Sequence, residues 1–247
     1  MLNKKFKLLV PITLALATGS AEVNAGLYTT GTSLETLTVF SNTYTTTGDA
    51  AQVYGSMLVG DVVTTGANAG VTGNVESVNA ANIGGGTSTV SPNDAFVGGN
   101  VTSGGVMTVG GATGGVLPGP IISGDLTSAG ASTIGAYAKV FGNMLSGGIA
   151  TTGANSKVDG DVKGTAVVKS ASSTIGSSEV TTTAVSSTLT GDLDVKRQTA
   201  RNDVAAIRAT LDGLGAGTVL AATMTVDTTL TAGVYSAPSL STTASTT

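Results

Sequence analysis

A short motif recurs seven times along this chain and constrains its fold more than any other feature. Each copy reads apolar residue, variable residue, Gly, then usually Asn or Asp, then a second apolar residue. Half of the intervals between copies have one common length, and the others are longer. A repeat of roughly 20 residues is typical of a solenoid, in which each repeat stacks on the next. The copies of this Gly-Asn/Asp motif begin at Val53, Val71, Val97, Ile122, Val140, Val158 and Leu189.

The alternation of side chains along a strand explains the composition of the motif. In Val71-Thr-Gly-Asn-Val75 the two valines share one side of the strand, and the two polar residues share the other. A coil of about 18 residues then accommodates three short strands and three corners, and we expect such coils over residues 44–193. Gly followed by Asn or Asp predicts a corner with left-handed backbone geometry. The sequence therefore predicts a mostly β protein, a β-solenoid (β-helix) of about 18-residue coils.

A second motif, Thr-x-Gly, precedes the copies by seven positions, or by about twice that distance where the interval is longer. The residue after the Thr is Thr, Ile or Val, a set that favours an inward position, so the Thr itself is expected to point outward. Stacked Thr can be a structural ladder bonded to neighbouring corners, or an outward row that binds a ligand. The candidate binding residues are Thr46, Thr64, Asn82, Thr108, Thr133, Thr151 and Thr174.

After residue 193 the apolar period changes to steps of three and four, which predicts a helix over 195–213. Asp194 is the expected N-cap. At 1.5 Å per residue the helix would be about 27 Å long, close to the expected length of the rod. Its apolar stripe needs a partner, so the helix is expected to pack alongside the solenoid. The stripe consists of Ala200, Val204, Ile207, Leu211 and Leu214.

Positions 1–25 have the pattern of a secretory signal peptide. Lys4, Lys5 and Lys7 precede an apolar stretch, and Val23-Asn-Ala25 resembles a cleavage site. Removal leaves 8 basic and 14 acidic residues, a net charge of −6, which argues against nucleic acid and anionic membranes as partners. The chain contains no Cys and no His, so we expect no disulfide, no cofactor and no metal. The sequence predicts a secreted or cell-surface protein without membrane insertion.

The stretch Thr228-Thr-Leu-Thr-Ala-Gly-Val-Tyr235, preceded by the predicted helix and by Thr/Gly-rich coils, resembles the microbial ice-binding (antifreeze) proteins. That resemblance implies a secreted, discontinuous β-solenoid with a long helix alongside, and ice as the partner. Residues 26–247 would form one domain of this kind. Members of the family usually continue for several more coils, so the segment 218–247 is expected to be incomplete. Their ice-facing residues follow no fixed motif, so the candidate Thr residues rest on this chain's own spacing.

Two other classes of function remain as alternatives. A cell-surface adhesin or self-assembling structural solenoid would suit a modular rod, because open solenoid ends are sheet edges prone to pairing. An enzyme is disfavoured, because the acidic residues are spread one per corner rather than clustered in a groove. The nearest approach to a cluster is Asp159 and Asp161 with Lys163, and a solvated corner explains it better.

Overall fold

The structure is a computed structural model that describes residues 6–9, 34, 37–85, 95–112, 119–181, 185–213, 218–219, 223–224, 234–237 and 241–242. The chain divides into two compact units. One unit is Thr30–Asp203, and the other combines Met1–Thr29 with Val204–Thr247.

The unit Thr30–Asp203 is a β-solenoid of three parallel sheets, as the repeat predicts. Each strand pairs with strands one coil before and one coil after it, and the chain visits the three sheets in turn. The first sheet contains Leu37–Ser41, Ser56–Val59, Val75–Ser77, Val101–Ser103, Leu126–Ser128, Met144–Ser146, Val162–Gly164 and Glu179–Thr181. The second contains Thr45–Thr46, Val62–Thr64, Ala80–Ile83, Met107–Val109, Ser132–Ile134, Ile149–Thr152 and Ala166–Lys169. The third contains Gln52–Val53, Gly70–Val71, Phe96–Val97, Ile121–Ile122, Lys139–Val140, Lys157–Val158 and Thr174–Ile175.

The core is built from columns of inward side chains, one residue per coil. Burying one Val, Leu, Ile or Met side chain contributes about 1.5–3 kcal/mol, and each coil supplies several. The column on the first sheet illustrates the pattern, because all its members are 0% exposed from the second coil to the seventh. They are Met57, Val75, Val101, Leu126, Met144 and Val162.

The Gly-Asn/Asp motif forms the corner between the third and first sheets, where its polar side chain links successive coils. Each side-chain oxygen accepts the backbone N–H of its counterpart one coil later, at 2.7–3.1 Å. At a corner the parallel sheets leave these backbone N–H groups without an acceptor. The side-chain oxygens of the ladder supply one to each of them. The residues of this Asn/Asp ladder are Asn74, Asn100, Asp125, Asn143, Asp161 and Ser178.

The motif needs glycine because the ladder oxygen of the preceding coil leaves no room for a Cβ, and not because the backbone is left-handed. A Cβ added at Gly124 would lie 2.1 Å from Asn100 Oδ1, the ladder oxygen of the preceding coil. Gly55 has a positive φ, but the other described motif residues do not, so the expectation of left-handed corners was wrong for them. The left-handed residues lie instead between the second and third sheets, with φ of 55–61°. They are Ala50, Asn68, Tyr137 and Asn155.

The helix spans Leu189–Gly213 and so begins before the predicted start at residue 195. Thr188, rather than Asp194, caps its N-terminus: Thr188 Oγ1 donates to Asp192 Oδ2 at 2.8 Å, and Asp192 N–H donates to Thr188 O. The last copy of the repeated motif, which begins at Leu189, is therefore the first turn of the helix and not a corner. The corresponding corner of the solenoid is residues 175–179.

Within the solenoid unit the helix packs across the outer side of the first coils. Thr190 Oγ1 donates to Gly104 O at 2.6 Å, and Lys196 Nζ donates to Glu76 Oε1 at 2.7 Å. Arg197 also donates to Asn42 Oδ1. Leu193 and Ala200 are buried, at 5% and 0% exposure. The helix therefore lies alongside the solenoid over residues 189–203, as predicted.

The structure confirms burial for the first residue of the predicted apolar stripe. Ala200 is buried, whereas Val204 is 42% exposed and Ile207 is half-buried. Leu214 and the side chain of Leu211 lie outside the described residues. Leu193, which the stripe did not include, takes an inward position nearer the N-terminus.

The second unit contains a small sheet that joins the two ends of the chain. Phe6–Leu9 pairs antiparallel with Val234–Ala237, which pairs in parallel with Thr218–Val219. Thr223–Met224 and Ser241–Thr242 form a separate parallel pair. The run at 225–231 and most of residues 1–25 lie outside the described residues.

Candidate functional site

Six of the seven candidate residues form one aligned row on the second sheet. Each residue is the direct register partner of the next, one coil along. The residues on either side of them point into the core: Val63, Ala81 and Met107, for example, are 0% exposed. The row therefore points outward, as the alternation predicted. Its members, here called the threonine row, are Thr46, Thr64, Asn82, Thr108, Thr133 and Thr151.

Thr174, the seventh candidate, does not belong to this row. It lies on the third sheet, where its register partner is Lys157. The residue that follows Thr151 in the row is Val168, which is 52% exposed. The assignment of Thr174 was wrong because it was counted back from the motif copy at Leu189, which is helical.

The side chains of the threonine row make no hydrogen bond to another residue in the described part of the chain. The ladder role falls to inward threonines next to the row instead. Thr65 Oγ1 accepts Gly84 N–H at 2.9 Å, and Thr152 Oγ1 shares a hydrogen bond with Ser173 Oγ at 2.9 Å. The sequence left both interpretations open; the structure shows the ladder contacts at the inward threonines and places the threonine row on the outer side of the sheet.

Two residues before the threonine row, a second outward row is apolar. Val62 pairs with Ala80, and Ile149 with Ala166, at the same one-coil spacing. Tyr44, Val106 and Ile149 are 70%, 53% and 47% exposed. This apolar row is Tyr44, Val62, Ala80, Val106, Ala131, Ile149 and Ala166.

Two residues after the threonine row, glycines of successive coils stack directly on one another. A Cβ added at Gly84 would lie 2.1 Å from Gly66 O, and one at Gly153 would lie 2.6 Å from Gly135 C. The glycines therefore add no side chain of their own beside the threonine row. This glycine row is Gly48, Gly66, Gly84, Gly110, Gly135 and Gly153.

The three rows together form one outer surface, here called the threonine face, and none of their residues is charged. Neighbours within a row repeat at about 4.8 Å, and the rows lie about 6.6 Å apart along the strands. The result is an array of hydroxyl and methyl groups that repeats once per coil.

Charged residues gather at the corner between the third and first sheets. Lys157 and Asp159 pair at 2.5 Å, and Lys163 and Asp161 pair at 2.9 Å. Hydrogen bonds from Ser178, with Lys163 alongside, hold the pKa of Asp161 well below its usual range. Within the described residues, no group of His, Cys, Asp and Glu is arranged to hold a metal ion. These carboxylates therefore serve the Asn/Asp ladder and local ion pairs.

A column of buried serines, one per coil, was not predicted from the sequence. Their hydroxyls lie within hydrogen-bond distance of carbonyl groups at the corner between the first and second sheets: Ser77 Oγ, for example, is 2.7 Å from both Asp61 O and Ala80 O and can donate its proton to either. A signal was present, since a Ser follows the last apolar residue of the motif by two positions. The column is structural and consists of Ser77, Ser103, Ser128 and Ser146, all 0% exposed.

The fold and the face place the chain in the class of three-sheet β-solenoids with an uncharged outer face. Comparison with protein-family models, curated proteins and solved structures finds no match. No helix among the described residues is long and apolar enough to cross a membrane.

Proposed function

We propose that this protein binds ice through the threonine face and inhibits crystal growth or recrystallisation. The observation that carries the proposal is the threonine row itself: six outward residues in register, flanked by an apolar row and a glycine row, with no charge. Ice is an extended, repeating surface of water. A rigid array with one short polar group per coil is suited to adsorb on such a surface at many points together.

The chemistry of the side chains supports this proposal. Thr offers a hydroxyl that bonds water and a methyl that does not, and its stiff χ1 leaves little entropy to lose on adsorption. The hydroxyls are uncommitted within the described structure, so they are available to surface water. The apolar row limits full hydration of the face, whereas Lys or Glu would hold their own hydration shells. The absence of charge thus favours ordered water at this face.

We further propose that the protein is non-enzymatic and acts outside the cell, after removal of residues 1–25. The signal-peptide pattern supports export, because a charged start, an apolar stretch and a small-residue site occur in the required order. An exported protein would meet ice that forms in the surroundings of the cell.

A comparison of two threonines tests the proposal. Thr133→Lys places a charge on the threonine face, whereas Thr174→Lys places the same charge on the third sheet. Both side chains are exposed, so each substitution should change folding free energy by less than about 0.5 kcal/mol. We expect Thr133→Lys to abolish freezing hysteresis and ice shaping, and Thr174→Lys to retain both.

Other outcomes of this experiment are equally informative. Loss of activity in Thr174→Lys alone would move the ice-binding site to the third sheet. A wild-type chain without hysteresis, ice shaping or recrystallisation inhibition would refute ice binding. Concentration-dependent fibres or adhesion to surfaces would then favour the alternative, an adhesin or self-assembling solenoid.

A further inference from the structure

In the last layer of the solenoid that the structure describes, two charges occupy positions where the preceding coils have core residues. Lys169 is the register partner of Thr152, in a column whose earlier members are buried. Glu179 is the register partner of Val162, at the end of the all-apolar column of the first sheet. Both columns thus change from buried to charged residues in the same layer. The buried members of the column that ends at Lys169 are Thr65, Ile83, Val109, Ile134 and Thr152.

These two charges meet each other at the end of the core. Lys169 Nζ lies 2.6 Å from Glu179 Oε1, and their side chains are 36% and 43% exposed. Val167 and Ile175 of the same layer are partly buried and pack against the core. The ion pair therefore links the second and first sheets in the layer that ends the apolar columns.

We propose that the Lys169–Glu179 ion pair closes this end of the solenoid against stacking by a second copy of the chain. An open solenoid end presents unpaired strand edges around an apolar core, and an added coil would continue all three sheets. A copy that stacked on this layer would bury both charges, and desolvation of an ion pair can exceed the attraction between its partners. Charges at inward positions are a known protection of sheet edges.

This proposal is independent of ice binding, and it limits the expectation of self-association through open ends to the opposite end. It also accounts for an irregularity in the sequence. The corner at 175–179 ends in Glu179, whereas the six motif copies from Val53 to Val158 all end in an apolar residue.

The test replaces both charges by the residues that their columns contain one coil earlier. Lys169→Thr with Glu179→Val removes the cap and leaves the net charge unchanged. The matched controls are the charge swap, Lys169→Glu with Glu179→Lys, and a neutralised pair on the third sheet, Lys157→Thr with Asp159→Ser. Each full-length variant is followed by sedimentation velocity over a range of concentrations, after circular dichroism confirms that it is folded.

We expect the uncapped variant to reach a larger mass than the wild type and both controls as concentration rises, because it alone has both ends open to pairing. A folded uncapped variant that stays monomeric over the whole range would overturn the proposal. So would equal assembly of wild type and uncapped variant. If the uncapped variant does not fold, Lys169→Met with Glu179→Gln provides the same comparison with closer shapes.

Discussion

Removal of one side chain from the Asn/Asp ladder tests whether the ladder stabilises the solenoid. Asn143 lies in the middle of it: its Oδ1 accepts Asp161 N–H at 2.9 Å, and its Nδ2 donates to Asp125 Oδ1 at 3.0 Å. Asn143→Ala removes both bonds and leaves a half-buried N–H without an acceptor. Each bond contributes about 0.5–1.5 kcal/mol net, so we expect a loss of about 2 kcal/mol.

Thermal unfolding followed by far-UV circular dichroism measures this loss. For a chain of this length about 1 kcal/mol corresponds to about 2–4 °C, so Asn143→Ala should lower Tm by about 4–8 °C. Asn82→Ala is the matched control, because Asn82 is exposed and its side chain makes no hydrogen bond to a described residue. The ladder would lose its assigned role if the two substitutions lowered Tm equally.

A second substitution at the same position separates hydrogen bonding from shape. Asn143→Asp keeps an acceptor for Asp161 N–H but turns the donor that faced Asp125 into a charge. Two carboxylates about 4 Å apart repel by about 1 kcal/mol in water, and Asn143→Asp would have one such neighbour in each adjacent coil. We expect Asn143→Asp to be destabilised near neutral pH and to recover relative to wild type as the pH falls, because the introduced carboxyl lies between like charges and takes up a proton there. Asn143→Ala should show no such recovery.

Three further predictions concern other parts of the solenoid. Because the folded-state pKa of Asp161 is lowered, its contribution to stability is present above about pH 4 and is lost as pH falls; Asp161→Asn should therefore flatten the acid limb of a Tm–pH profile. Ala50 has φ 56°, in a region that costs an ordinary L-residue about 1–2 kcal/mol and that Asn tolerates better. Ala50→Asn should therefore raise Tm. Ala154→Asn should not, because Ala154 is exposed and is not among the residues with positive φ. Leu193→Ala should cost about 2–4 kcal/mol and increase hydrogen exchange in the helix, whereas Val195→Ala, at a residue 66% exposed, should change neither.

The sequence predicts the solenoid well because its information is local and repeated. The period, the apolar columns and the outward threonine row all follow from side-chain alternation within a coil. Thr174 lies at the expected distance from the motif copy at Leu189, but that copy is helical, so the distance does not place Thr174 in the threonine row. The serine column follows the motif at a constant distance and could have been predicted, whereas the Lys169–Glu179 pair required register between coils, which a count along the chain does not supply.

The motif at Leu189 shows why the same residues can form a corner or a helix. A corner needs a neighbouring coil, because the ladder side chain acts only when the next coil supplies an N–H to it. In the helix, Asp192 instead bonds to Thr188, and its charge lies near the free N–H groups of the first turn. The residues that follow decide between the two outcomes: an apolar residue, a spacer and a small residue continue the sheet, whereas steps of three and four continue the helix. The Asn or Asp of the motif is therefore a side chain that can satisfy free backbone N–H groups. Whether a corner or a helix presents those N–H groups depends on whether a neighbouring coil stacks against the motif.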